Sequence, residues 1–458
     1  MASTTRRTRP PNADLARLIE ASGASHKSLA LRVNQLAHAA GIETDYSHTS
    51  VANWCRRGMT PKWPVPKLLS QAIGERLGRP VTLGEIGMGE AETIDADVGL
   101  DFPRDPADAV RVATSFWSSV NRRDFLAGSA FTTPVTRWLV TPADETADHR
   151  GGKQVGRADL DELREAADDA RRWDSKYGGG NWKANSVTDC LDHRAGPLLQ
   201  GSFSDEIGRE LFSVTAELSR LAGWTAFDVG QHDAAQRYFI QALRLARAGG
   251  DVQLGCYVLT TMAMQTLMRG FASEAVDMAQ GAFERAKGQA VPRVLAFTKL
   301  IEARAHARDN DARAASRALK ASEDLLGQVK DASGDEPAWI DFYHHARLSA
   351  DAAEVFRDLR NPKAALDWNK QAAAMPTGVF TRSVGMRLAI VGTAHLQARD
   401  LDHGLELGNR SVDILARVQS SRAKDYVREF NSALVPWRRE PAVREFIQRT
   451  RKELGVAA

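Results

Sequence analysis

Leu221-Ala-Gly-Trp-Thr-Ala-Phe-Asp-Val-Gly230-Gln-His-Asp-Ala-Ala-Gln-Arg-Tyr-Phe-Ile240-Gln-Ala-Leu-Arg-Leu-Ala246 reads as two helices joined at Gly230. Gly223, Ala235, Phe239 and Ala242 stand where the two helices cross, and small residues there let the backbones approach. The same template returns as Ala263, Gly270, Ala275, Ala279 and Ala282. It returns again as Ala303, Asn310, Ala315, Leu319, Ser322, and as Ala353, Arg360, Ala365, Asn369, Ala372. A weaker copy is Thr393, Asp400, Leu405, Asn409, Val412. The turn residues 230, 270, 310, 360 and 400 recur at spacings of 40, 40, 50 and 40. A period of this size marks an array of supersecondary units, each burying one face on the next.

The layout is tetratricopeptide-like, with connections longer than the standard of about 34 residues per unit. Such an array winds into a superhelix with a concave groove. The first helix of each unit lines that groove, so Arg220, Thr260, Gln265 and Lys299 are candidate ligand positions, with a peptide or a protein as the candidate occupant. Residues 324–338, with Gly327, Gly334 and Pro337, form an extended loop that accounts for the spacing of 50. The tail Pro436–Leu454 forms a final helix that caps the array, with Val443, Phe446 and Ile447 inward. Upstream, Leu160, Leu163, Ala167 and Ala170 form a helical stripe that the Trp173–Gly180 stretch breaks.

The N-terminal 80 residues differ in character. They hold 12 Lys+Arg against 5 Asp+Glu, a net +7, and the rest of the 458-residue chain carries −4. Asn12 can N-cap a first helix striped by Leu15, Leu18 and Ile19. A second helix carries Leu29, Ala30, Val33, Leu36 and Ala37. Ser47-His48-Thr49-Ser50-Val51-Ala52-Asn53-Trp54-Cys55-Arg56-Arg57-Gly58 is a third, ending at a glycine suited to a left-handed cap. Val51, Trp54 and Cys55 face a core. His48, Thr49, Ser50, Asn53, Arg56 and Arg57 form the opposite face, the residue types that meet base edges and phosphates. Lys62 and Lys67 extend the basic surface into the proline-stiffened segment that follows, before a fourth helix through Leu77. Several short helices with a basic third one fit a helix-turn-helix domain binding double-stranded DNA. Such domains usually read two half-sites, so a homodimer is expected.

The pattern Asn12, Leu15-Ala16, Leu18-Ile19, Leu29-Ala30, Val33-Asn34, Thr49-Ser50-Val51, Trp54, Pro61, Pro64-Val65-Pro66 and Leu77-Gly78-Arg79-Pro80-Val81-Thr82 resembles the XRE-like helix-turn-helix of large actinobacterial regulators. The segment between the second and third helices is longer than in a minimal phage repressor. The unit at 221–246 is similar to the same family. The resemblance covers residues 12–86 and about 155–285, and it implies a transcriptional regulator of development or secondary metabolism. The domains read as 1–86 helix-turn-helix, 87–156 acidic linker and connecting region, and 157–458 helical repeats with a capping helix. The fold class is all-α.

Other classes find little support. Cys55, Cys190 and Cys256 are far apart and odd in number, with no ligand spacing, so neither a disulfide framework nor a structural metal is indicated. No hydrolase, metalloprotease, nucleotide-loop or dinucleotide motif is present, so no enzyme and no cofactor are expected. His344-His345 and Cys190 with His193 lack the partners that a metal site or a nucleophile needs. The triple glycine 178–180 lacks the Lys-Ser/Thr of a phosphate loop. No run of 18 apolar residues implies a membrane span. Arg122-Arg123-Asp124-Phe125-Leu126 imitates a twin-arginine signal but follows a whole domain. The basic stretch 1–11 reads as a disordered arm, and residues 139–158 as an exposed loop. A cytoplasmic protein is expected. The alternative function is a repeat scaffold or adaptor whose N-terminal module docks on protein.

Overall fold

A computed structural model describes residues 11–39, 44–59, 61, 65–77, 79, 81, 84–88, 100–119, 132–140, 153–178, 185–329, 336–372 and 381–456. The basic arm at 1–10, the Arg122-Arg123 stretch, residues 141–152 of the expected loop and the glycines at 179–180 lie outside them. The described residues are helical, with one isolated bridge between Gln154 and Ser202. None of their helices is long and apolar enough to cross a membrane. The chain divides into two units, Met1–Val98 and Gly99–Ala458.

The first unit contains α1 (Ala13–Ala21), α2 (His26–Ala39), α3 (His48–Arg56) and α4 (Val65–Leu77). Asn12 caps α1 by accepting from the Leu15 N–H at 2.9 Å, and its amide donates to the Ile86 carbonyl at 2.9 Å. One side chain thus starts the first helix and ties it to the end of the unit. Leu15, Leu29, Val33, Val51, Leu69, Ile73 and Ile86 fill the core, drawn from all four helical stripes. Gly58 takes φ +56° just past α3, the left-handed turn that suits glycine.

The second unit opens with α5 (Pro106–Ser119) and α6 (Thr132–Val140), which pack on the repeats. Helices α5 and α6 thus contact the repeat helices α11 (His232–Ala248) and α13 (Ala272–Ala286). A buried cation lies beside this contact: Arg244 is fully enclosed, donates to the Arg104 carbonyl at 2.9 Å and lies 5.8 Å from the Phe102 ring centroid. The 101–104 backbone thus receives Gln241 and Arg244 of α11. α7 (Arg157–Tyr177) runs through Trp173 and ends only at Gly178, so the expected break falls one turn later. α8 (Asn185–Cys190), a π-helical turn at Leu191–Ala195 and α9 (Gly196–Leu199) follow.

Helical hairpins come next: α10 (Asp205–Asp228) with α11 (His232–Ala248), α12 (Val252–Met268) with α13 (Ala272–Ala286), and α14 (Pro292–Arg308) with α15 (Ala312–Leu326). They continue as α16 (His345–Asp358) with α17 (Pro362–Gln371), and α18 (Thr381–Gln397) with α19 (Leu401–Leu415). α20 (Ser421–Ala433) and α21 (Pro441–Leu454) follow, and α21 packs on α19; the final helix begins at Pro441 rather than Pro436, after a 3-10 turn at Val435–Trp437. At Gly223 a Cβ would come within 2.7 Å of the Phe239 ring, which explains the first small position. Gly230, Gly270, Asn310 and Arg360 all take positive φ at the hairpin turns. In the fifth hairpin the left-handed residue is Arg399, not Asp400, which instead N-caps α19. The template there is Gly392, Arg399, Gly404, Gly408 and Ser411, one residue earlier than the sequence reading placed it. This register restores small residues at the crossing of α18 and α19: a Cβ at Gly404 would meet the Leu396 side chain at 2.6 Å.

Early and late helices of the second unit also touch one another. α10 meets α20, and α7 meets α18. Asp228, fully buried on α10, accepts from Arg382 at 2.8 Å, Arg422 at 3.1 Å and Ser420 at 2.9 Å. Asp174 on α7 accepts from Arg382 at 2.9 Å and from the Trp224 indole at 2.9 Å. Glu354 on α16 accepts from Arg304 at 2.8 Å and from the Tyr426 hydroxyl at 2.9 Å. Burial opposes the charge on Arg382, but Asp174 and Asp228 prevail and hold its pKa above the usual range. The late repeats thus return to the first one through buried, hydrogen-bonded charge pairs.

Candidate functional site

α3 presents two faces. Val51, Trp54 and Cys55 are buried, and Trp54 meets Tyr46 edge-on with ring centroids 5.1 Å apart. Burial raises the Cys55 thiol pKa, so this cysteine is a packing residue rather than a thiolate. Asn34 on α2 fixes the approach to α3: its amide donates to the Tyr46 carbonyl at 2.9 Å, and its oxygen accepts from the Tyr46 N–H at 3.0 Å. The long segment between α2 and α3 therefore has a defined end.

On the other face His48, Thr49, Arg56 and Arg57 are exposed, and Ser50 and Asn53 are half-buried. Ser50 is partly committed, since its hydroxyl accepts from the Ser47 N–H at 3.2 Å in the N-terminal turn. Arg17, Arg32 and Arg79 have carboxylate partners in Asp14, Glu75 and Glu85. Among the described residues Arg56 and Arg57 have none, so both guanidiniums are free to meet an external anion. Lys62 and the Lys67 side chain lie outside the described residues.

The four expected groove positions separate. Thr260 is fully buried; its hydroxyl donates to the Cys256 carbonyl at 2.8 Å and contacts the Thr298 hydroxyl at 2.9 Å. Gln265 is buried and donates to the His232 carbonyl at 2.8 Å. Lys299 pairs with Glu302 at 2.6 Å and sits 4.1 Å from the Phe283 ring centroid. Thr260 and Gln265 are thus packed between helices, while Lys299 stays half-buried in an ion pair within its own helix. Of the four, Arg220 alone lines a pocket of about 610 Å³, open to solvent where the exposed Arg172, Lys176 and Asp341 stand. The same cavity takes Trp339 and Phe342 from the inter-repeat loop, with Arg382 and Arg422 from late repeats. Those residues carry no shared period, so no sequence pattern groups them.

Two other clusters serve structure. Asp400 accepts from the His395 and His403 rings at 3.0 and 2.8 Å, and also from the His403 N–H as the cap of α19. His344 caps α16 by accepting from the Arg347 N–H at 3.4 Å. Cys256 is enclosed, and burial pushes its thiol up to about 11.

No curated protein matches the chain. Residues 15–89, which run from Leu15 in α1 to just past the buried Met88, match the SP15 N-terminal domain family.

Proposed function

We propose that the protein is a sequence-specific DNA-binding transcriptional regulator, acting by binding rather than catalysis. In this reading the first unit is a helix-turn-helix module with α3 as the recognition helix, and the tetratricopeptide-like second unit dimerises or senses a partner. The observation that carries the reading is the outer face of α3: two arginines with no carboxylate partner among the described residues, beside Asn53, Thr49 and His48, on a helix whose inner face is packed by Trp54. A helix of this kind offers hydrogen-bonding groups to base edges and cations to phosphates. The excess of basic charge in the first 80 residues adds the attraction to duplex DNA. Two half-sites about one DNA turn apart would require two copies of α3, hence the expected homodimer.

The test is a salt titration of duplex binding, using an operator recovered by mapping bound DNA in the native host. Affinity should fall steeply as salt rises, because phosphate contacts release counterions. Arg57→Ala should weaken binding and flatten the logarithmic salt slope by about 1 if the side chain meets one phosphate. Arg56→Ala should act likewise. Unchanged binding by both variants would remove α3 from the interface. Absence of salt-dependent DNA binding by the full chain would favour the adaptor reading.

A further inference from the structure

The cavity inside the second unit has an uneven lining. Seven of its side chains are cationic and three are carboxylates. Most of the cations are already matched. Arg171 pairs with Asp168 and Glu217, Arg347 with Asp351, and Arg382 with Asp174 and Asp228. Arg422 pairs with Asp228. Arg220 is different. It is only 3% exposed, yet no described carboxylate approaches it, and its Nε has no hydrogen-bond partner. Its guanidinium lies 4.7 Å from the Tyr257 ring centroid. Burying an arginine without an anion is costly, so a fold that retains one is poised to gain when an anion arrives. The neighbouring charge of Arg171 adds to that gain: burial first, and then Arg220, hold the Arg171 pKa below the usual range.

Five aromatic rings, Trp224, Tyr257, Phe297, Trp339 and Phe342, share the rest of the lining with small, polar and aliphatic side chains. Tyr257 stacks on Trp339 with centroids 4.9 Å apart and planes 10° from parallel. Phe342 stands edge-on to Phe297 at 5.4 Å and remains half-buried. A cavity of about 610 Å³ lies within the range of about 300–1,000 Å³ typical of small-molecule sites.

We propose that this cavity binds a small anion carrying a planar ring, of the aryl carboxylate or aryl phosphate class, with Arg220 pairing the anionic group and the aromatic wall holding the ring. This deepens the sensing part of the proposed function, and it stands apart from operator recognition because binding is measured without DNA. The probes are 2-naphthoate, 2-naphthyl phosphate and the neutral 2-naphthamide, titrated calorimetrically into the full chain. At least one anion should bind saturably and raise the unfolding temperature, and the amide should bind at least about tenfold more weakly, as a charged hydrogen bond predicts. Arg220→Met should lower the anion's affinity by a similar factor and leave the weak amide binding unchanged, while Arg220→Lys should retain part of the affinity. If Arg220→Met does not fold, Arg220→Lys together with the comparison of anion and amide decides the matter. No saturable binding of either anion, equal affinity for anion and amide, or anion binding that ignores both Arg220 variants would overturn the proposal.

Discussion

Trp54 and His232 show how a single side chain can be read once its surroundings are known. Trp54 is 4% exposed and packs edge-on against Tyr46. Removing a buried Trp costs about 3–5 kcal/mol. Trp54→Ala should therefore unfold the first unit while helical signal from the repeats persists, as circular dichroism during heating would register. A variant with an unchanged first transition would place the ring outside the core. His232 opens α11, with its ring against Phe227 at 5.7 Å and its Nδ1 buried without a partner. Burial, assisted by the charge of Arg269, holds its pKa down to about 4. The unfolded chain protonates this ring near 6.5, so between about 6.5 and 4 the unfolded state takes up more protons. Stability from this group is whole above that window and is lost as pH falls through it. His232→Asn should flatten the fall of the repeat unit's unfolding temperature between pH 6.5 and 4. Parallel profiles for the two proteins would show that the ring does not titrate in this way.

Hairpin turns carry the regularity of the repeats. Each places one residue in the left-handed region, and the residue after it opens the second helix. Glycine fills that position at 230 and 270, but Asn310, Arg360 and Arg399 fill it later. At Gly270 an added Cβ would meet nothing within 4 Å, although φ is +91°. The requirement there is conformational rather than steric. Gly270→Ala should cost about 1–2 kcal/mol through backbone strain alone. Denaturant unfolding measures this directly, and a cost near zero would mean that the turn relaxes. The same turn marks set the register of the fifth hairpin, where the apolar pattern alone leaves a one-residue ambiguity.

Closure of the repeat unit depends on Asp228. Its carboxylate receives Arg382 from α18 and Arg422 with Ser420 from the start of α20, more than 150 residues away along the chain. Removing one partner of a buried pair leaves the other charge uncompensated, at a cost of about 3–5 kcal/mol. Asp228→Asn should lower the unfolding transition of the repeat unit by that amount while the transition of the first unit stays in place. A loss below about 1 kcal/mol would mean that the ends are held by apolar contacts alone.

Helix positions, caps and turns were legible because they depend on neighbours three and four residues away. Asn12 as a cap, the Val51–Trp54–Cys55 stripe and the turns at 230, 270, 310 and 360 all follow from such local rules. The split of α3 into a buried face and a cationic face was equally legible, since helical periodicity alone assigns the sides. The interior of the repeat unit was not. Thr260 and Gln265 lie on the first helix of a repeat as expected, but neighbouring helices bury them. Arg244 is enclosed by carbonyls of Pro103 and Arg104, which lie 141 and 140 residues earlier in the chain. The cavity takes Arg220 from α10, Trp339 from a loop, and Arg382 and Arg422 from the last repeats. Only the curvature of the whole array, summed over many small rotations between hairpins, decides that these residues meet.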